Sequence, residues 1–288
     1  MQTRIALATY ERAPGLAPDD RLLIPALERL GIHAEPAIWS DRSIRWRDFD
    51  AVIIRSCWDY HVRFGEFETW LHALEADVVP LWNPALLVRW NADKRYLLDL
   101  AGRGVATIPT MIAMRGHADA VESLATAEGW DRFVIKPAIS ASGYETFALR
   151  TPLDDAARAT IARVASLGAV LVQPFADEIA RSGELSFTFI DGAFSHATVK
   201  RARVGEFRVQ TEHGGTVDSI VVERRLIDQA SAAIRSLDVR PLYARVDGIT
   251  RGDAFLLMEL ELIEPNVFMS YAEHAADRFA RAIAERLG

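Results

Sequence analysis

Three carboxylates held at fixed steps constrain this 288-residue chain more than any other feature. The stretch from Ala244 to Pro265 reads ARVDGITRGDAFLLMELELIEP. It places Asp247 in one apolar, strand-like run and Glu259 and Glu261 in the next. Two residues apart, the glutamates share one face of a strand. Arg251-Gly252-Asp253 supplies a turn between the runs, so Asp247 is expected opposite the two glutamates. Acids converging inside a sheet repel one another and are costly to bury bare. A hard divalent cation removes that cost, because Mg2+ takes oxygen ligands, commonly a few carboxylates plus substrate phosphates. The competing reading is a solvent-facing acidic hairpin, for which the LLM and LIEP flanks are too apolar.

Half of the residues are hydrophobic and a quarter charged, an ordinary globular balance with room for two or three lobes. The net charge of −7 argues against a general nucleic-acid-binding surface. No apolar run reaches the length of a membrane span. The opening MQTRIALATYER enters a strand-like segment directly, so the cytoplasm is the expected address. A single cysteine, Cys57, excludes an intramolecular disulfide and a thiolate metal cluster.

Residues 4–9 read as a first strand, and Pro18–Leu30 has helical spacing closed by Gly31. Strands at 34–38 and 51–55 and a helix at 64–75 complete a small parallel α/β lobe. Asn83-Pro84 marks a break. Asn91 is expected to cap a helix over 92–102 that ends at Gly102 or Gly104. Strands at 106–113, 132–136, 144–149 and 169–173 alternate with helices near 118–128 and 153–167. A hairpin over 184–200 turns at Asp191-Gly192, followed by a strand near 217–222 and a helix at 225–237. After the carboxylate strands comes a C-terminal helix expected to be capped by Ser270. The divisions expected are 1–88, 89–174 and 175–288.

Several constellations bear chemistry. Lys136 ends FVIKP beside the small-residue loop Pro137–Gly143, where backbone N–H groups around Ser140, Ser142 and Gly143 can approach an anion closely; a plain turn is the alternative. Lys94 falls in the first turn of its expected helix, where cations are slightly disfavoured, which points to an anion or to simple solvation. The run KRARVGEFRVQTEHGG gathers Lys200, Arg201, Arg203 and Arg208 before Gly214-Gly215. It either pairs with Glu178, Glu184 and the acidic strands or, the favoured reading, grips an anionic ligand. His213 reads as a general base or as an exposed loop residue. Gln173-Pro174-Phe175 ends a strand, and Glu178 lies just beyond; a strand edge can hold a purine and an acid can accept ribose hydroxyls. Arg55, Ser56 and Asp59, in RSCWDY, follow the third strand, where open α/β sheets place ligands. Buried packing is the reading for Cys57.

In their order along residues 85–269, these pieces resemble an ATP-grasp enzyme. Closest in pattern are the ribosomal-protein glutamate ligases and glutathione synthetases, where a GDFR…GG segment precedes a VD…MEVN metal pair. Their counterparts here are Gly205-Glu206-Phe207-Arg208, Gly214-Gly215, Val246-Asp247 and Met258-Glu259-Leu260-Glu261. The strings RSCWDY, WNADKRYL, KPAISASG and MELELIEP are similar to the cyclo-ligases of the cycloserine pathway, which close O-ureido-D-serine into a ring. One position departs from the pattern: the usual Glu-x-Asn is Glu259-x-Glu261, with Glu264 close by. The added charge is expected to tighten Mg2+ binding or shift its geometry.

The resemblance implies a mixed α/β, ATP-grasp fold, with a small parallel domain ahead of two lobes that grip ATP. It implies transfer of the γ-phosphoryl group to a substrate carboxylate, then attack by an amine on the acyl phosphate. On that reading Asp247, Glu259 and Glu261 hold two Mg2+ ions, with Mn2+ as a substitute. Lys94, Lys136, Lys200, Ser140, Ser142 and Gly143 hold phosphates, and Gln173, Phe175 and Glu178 seat the nucleoside. Arg245 and Arg208 neutralise the transferring group, and the loop 138–143 is a lid. A small amino-acid-like substrate would meet Arg55, Ser56, Asp59, Arg203, His213, Gly214 and Gly215. The amine belongs either to the same molecule or to a second amino acid or peptide. A nucleotide-binding scaffold without turnover is the reading from another class. No nucleic acid or membrane is expected as partner, and a partly apolar first lobe leaves room for a homodimer.

Overall fold

In the computed structural model, which describes residues 2–288, the apolar runs sort into three sheets. The first comes from β1 (Arg4–Thr9), α1 (Leu23–Glu28), β2 (His33–Ile38), β3 (Ala51–Ser56), α2 (Phe64–Ala76) and β4 (Leu81–Trp82). Its strands run parallel in the order β2-β1-β3-β4. β3 is buried along its whole length, as a parallel strand covered on both faces must be. One face packs Trp39, Phe67 and Trp70 against Ile54. The other packs Leu7 and Leu27 against Phe279 and Ile283 of the last helix.

Two short helices, α3 (Ala85–Ala92) and α4 (Tyr96–Gly102), lead into β5 (Met111–Ala113), α5 (Ala118–Ala127), β6 (Arg132–Pro137), β7 (Phe147–Arg150), α6 (Asp155–Leu167) and β8 (Val170–Pro174). The second sheet is antiparallel, in the order β5-β8-β6-β7. Period-two alternation sends Phe133 and Ile135 of β6 into a core with Val121, Ile161 and Val164 of its helices. Val134 and Lys136 take the opposite face, which lines a cleft.

The remainder is α7 (Glu178–Ser182), β9 (Glu184–Ile190), β10 (Ala193–Arg201), β11 (Thr216–Ile220), α8 (Arg224–Arg235), β12 (Tyr243–Arg251), β13 (Ala254–Glu261) and α9 (Ala275–Leu287). Its antiparallel sheet has the order β11-β10-β9-β12-β13. Phe187, Val246 and Leu257 pack there with Ala233 of α8 and with Leu97 and Leu100 of α4.

β13 is an edge strand, and its unpaired backbone groups are taken up by side chains rather than by another strand. Asn91 donates to the Leu260 carbonyl (2.8 Å) and accepts from the Leu262 N–H (2.8 Å). The Tyr96 hydroxyl accepts from the Leu260 N–H (2.9 Å), and Leu257 exchanges backbone bonds with Ala106 and Ile108. Asn83, ahead of α3, ties the start of β12 to the segment after β13, donating to the Tyr243 and Leu262 carbonyls and accepting from the Leu242 N–H.

These contacts explain where the structure departs from the sequence reading. Asn91 lies inside α3, buried and spent on β13, so it caps nothing; the chain breaks at extended Asp93 and Lys94 sits in the link between two helices. Of 106–113 only the end is a strand, because 106–108 lies along β13. The first helix starts at Leu23, after a tight turn over 20–22, since Asp19 and Asp20 point into tertiary contacts. Ser270 does not cap α9, which begins at Ala275; its N–H and hydroxyl both donate to Asp19. Replacing Asn91 by alanine strands two buried backbone groups. It is expected to lower unfolding free energy by about 2–4 kcal/mol, read from urea denaturation.

Candidate active site

Alternation along β12 and β13 sets the acids in place. Ala244 and Val246 enter the core, while Arg245 and Asp247 face the cleft. Asp247 stands directly across from Glu259, and Arg245 across from Glu261. A one-residue bulge follows Asp247. A Cβ on Gly248 would lie 2.2 Å from the Leu256 carbonyl oxygen, so glycine is what allows the strands to close there.

Each acid is met by a cation of the chain. Arg245 grips both Asp247 oxygens at 2.8–3.0 Å and also binds Glu261. Lys200 bridges Asp247 (2.8 Å) and Glu184 (2.5 Å). Lys94 binds Glu259 (2.6 Å) and the Ser140 carbonyl (2.6 Å). Among the described residues, no three His, Cys, Asp or Glu side chains stand grouped as a metal site. Like charges diverge unless something positive stands between them, and here the chain's own cations do.

The donor set still fits a hard cation. Five acids line the cleft: Glu184, Asp247, Glu259, Glu261 and Glu264. Burial pushes Glu264 up to about 8, with Glu261 adding to it, and burial raises Glu261 despite Arg245. Burial opposes the charge on Asp247 too, but Arg245 and Lys200 outweigh it and hold that carboxyl below its usual range. The five acids thus outnumber Lys94, Lys200 and Arg245, the cations that meet them, and two of them resist ionising until more positive charge arrives; oxygen donors of this kind suit Mg2+. Lys136 is the reverse case. It is buried, which lowers its pKa, and no carboxylate lies within ion-pair distance of it among the described residues. A phosphate would complete it.

Across the cleft, Ile108, Phe175, Ala176, Ile179 and Met258 form an apolar slot beside Gln173. Arg132 stacks 3.8 Å from the Phe175 ring centre. The loop after β6 is pinned by the Lys94 N–H, which donates to the Ala138 carbonyl (2.8 Å). Ser142 and Gly143 take left-handed conformations at φ 51° and 69°. A Cβ on Gly143 would sit 3.4 Å from Arg208, so this loop and the basic loop meet over the cleft.

The cleft thus lies between two antiparallel sheets, with Lys136 on one wall and the paired acids on the other. Residues 5–83 match the family model described as the N-terminal domain of the D-cycloserine synthetase DcsG. The cycloserine biosynthesis protein DcsG of Streptomyces lavendulae is 34% identical over 278 residues, covering 92% of each chain. The chain belongs to the D-cycloserine synthetase family. The crystal structure of DcsG superposes with a TM-score of 0.90 at 32% identity, covering 99% of this chain and 100% of that one. D-alanine–D-alanine ligase from Bacillus anthracis, solved with ATP, gives 0.68 at 16% identity over 99% and 97%, a likeness of fold. A RimK domain ATP-grasp protein from Sphaerobacter thermophilus gives 0.73 at 19% identity over 98% and 100%, so the chain has the ATP-grasp fold, as its motifs led one to expect. Among its described residues no helix is long and apolar enough to cross a membrane.

In this member of the D-cycloserine synthetase family the cleft gathers Lys94, Lys136, Ser140, Ser142, Gly143, Gln173, Phe175, Lys200, Arg208, Arg245, Asp247, Glu259 and Glu261. It does not gather the rest. Arg55 is fully buried against Asp20 and the Pro265 carbonyl, and Ser56 bonds the same Asp20. Asp59 accepts from Trp39 and Arg63. Glu178 pairs with Arg251 at the start of α7, away from the lining. Gly214 and Gly215 shape the basic loop: Gly214 is left-handed, and a Cβ on Gly215 would meet the Val209 oxygen at 2.1 Å. Arg203 packs against Gly214, and His213 Nε2 would lie 3.6 Å from a Cβ on Gly143. Of the two roles weighed for the basic run, ion pairing is what the structure shows: Lys200 and Arg201 form ion pairs, and Arg208, which lines the cleft, is paired with Glu206. Sequence reasoning assigned no role to Trp58, Tyr60, Asn266, Phe268 or Tyr271, all of which line it; it weighed Glu184 only as an ion-pair partner of the basic run and noted Glu264 only as a neighbour.

His61, in the loop after β3, packs 5.2 Å from Tyr144, which follows the small-residue loop. Burial, helped by the charge on Lys94, pushes its pKa down from 6.5 to about 4. Between those values the unfolded chain binds a proton that the folded chain refuses, so stability falls as pH drops through that window. His61→Asn is expected to blunt the fall: its urea midpoint relative to wild type should rise from pH 7 to pH 4.5.

Proposed function

We propose that this chain uses ATP to activate the carboxylate of a small amino acid of the O-ureido-serine type and closes it into a ring. The supporting observation is the meeting, across one cleft, of unmatched Lys136 with the Asp247–Glu259–Glu261 wall. Kinship with a cycloserine biosynthesis protein along nearly the whole chain supports the choice of substrate.

A carboxylate resists attack because its oxide is too basic to leave. A substrate carboxylate oxygen attacks the γ-phosphorus, and the bond to the β-phosphate oxygen breaks, releasing ADP. The internal nitrogen then attacks the acyl carbon, phosphate departs with its electron pair, and the nitrogen loses its proton. Lys94 and Lys136 hold phosphate oxygens, and the apolar slot beside Gln173 and Phe175 takes the base. Mg2+, held as two ions by Asp247, Glu259 and Glu261 or replaced by Mn2+, would offset phosphate charge. Arg245 faces the reacting groups as a fixed guanidinium; losing one such donor commonly costs about 3–4 kcal/mol of transition-state stabilisation. The loop 138–143 keeps water from the acyl phosphate, which would otherwise hydrolyse.

Asp247→Asn and Glu259→Gln are each expected to cut ADP release by roughly 100-fold or more, with an unchanged circular dichroism spectrum. Normal turnover in both would end this reading. Mass spectrometry of the wild-type product separates the two ligase chemistries. Ring closure gives a species lighter than the substrate, whereas joining two molecules gives a heavier one.

A further inference from the structure

Four of the five cleft acids are matched by cations of the chain: Glu184 by Lys200, Asp247 by Arg245 and Lys200, Glu259 by Lys94, and Glu261 by Arg245. Glu264 is not. Among the described residues, no Lys, Arg or His lies within ion-pair distance of it, and its own backbone N–H is the one hydrogen-bonding group that faces it.

Its backbone, by contrast, is fixed with unusual completeness. The carbonyl of Ile263 accepts from the Tyr243 hydroxyl (2.7 Å), and that of Glu264 from Trp58 Nε1 (3.1 Å). The Pro265 carbonyl accepts from Arg55 (2.7 Å) and the Asn266 carbonyl from Arg245 (2.9 Å). Four consecutive carbonyls are each held by a side chain, two of them from the first lobe. Such anchoring aims a side chain before any ligand arrives and lowers the cost of binding one.

We propose that Glu264 receives the α-ammonium group of the amino-acid substrate and so selects for amino acids over simple carboxylic acids. The proposal rests on the reading of the function given above. A half-buried carboxyl in a cleft with no cation to meet it is costly to ionise, and an ammonium group at contact distance offsets that cost. Trp58 and Tyr60 line the same end of the cleft, and aromatic faces are favourable neighbours for an ammonium. The unmatched charges are thereby divided: Lys136 awaits phosphate at the nucleotide end, Glu264 awaits the amine at the end formed by the first lobe.

The test is calorimetric binding in the presence of Mg2+ and a non-hydrolysable ATP analogue, with O-ureido-D-serine and its desamino counterpart, 3-(ureidooxy)propanoate. Wild type should prefer the amino compound. Glu264→Gln should weaken that compound at least ~30-fold, the size expected when one partner of a buried charge pair is truncated, and leave the desamino compound and the nucleotide analogue unaffected. Glu264→Asp should recover part of the preference. Equal losses for both compounds, or no loss for either, overturn the proposal. Weakened nucleotide or Mg2+ affinity with the preference intact would make Glu264 a metal ligand instead, and overturn it as well. Should wild type bind the nucleotide but neither compound, the substrate reading itself fails and this proposal goes with it.

Discussion

Arg245 stands between Asp247 and Glu261, and the cleft wall depends on that wedge. Its guanidinium donates to both acids and to the Asn266 carbonyl, and it lies over the Phe268 ring. Buried ion pairs add little net stability compared with an apolar core, yet removing one partner commonly costs about 3–5 kcal/mol because a bare charge is left behind. The wall is thus committed to charge. Lys200 and Lys94 extend the same logic outward, so that acids on neighbouring strands can share one face.

The first lobe acts on this wall from behind. Arg55, fully buried, spends itself on Asp20 and the Pro265 carbonyl and stacks near Tyr243 and Phe279. Asp19 takes the Met269 and Ser270 N–H groups, and Asn83 ties β12 to the segment after β13. Residues 262–270 are therefore set by side chains that arrive from roughly 180–250 positions earlier in the chain. A substitution in the first lobe can move the acids without touching a ligand. The same lobe supplies Trp58 and Tyr60 to the cleft, so support and recognition come from one loop.

Over the cleft, the small-residue loop and the basic loop approach each other at Gly143 and Arg208. Both hold left-handed residues, Ser142 and Gly143 in one, Gly205 and Gly214 in the other. Arg208 is neutralised by Glu206, which it holds down to about 2. Its charge is therefore partly spent within its own loop, whereas that of Arg245 is spread over the wall beneath.

Much of this protein was legible in residue order. Apolar runs named strands in all three sheets, though not the two-residue β4 and only the end of 106–113, and the twelve-residue step from Asp247 to Glu259 placed those acids across one antiparallel pair, as the register has them. Lys94, Lys136 and Gln173 also reach the cleft, because strand alternation and proximity to a break are local properties. The failures share one cause. Asn91, Ser270, Arg55 and Asp59 carry the right side chains for caps or ligands, but each is consumed by a partner distant in sequence. Local spacing determined which residues face which side of a strand. Only tertiary packing decided which polar groups were already satisfied by the chain and which, like Lys136 and Glu264, were left for something else, because a hydrogen bond or ion pair across 150 residues leaves no periodic trace.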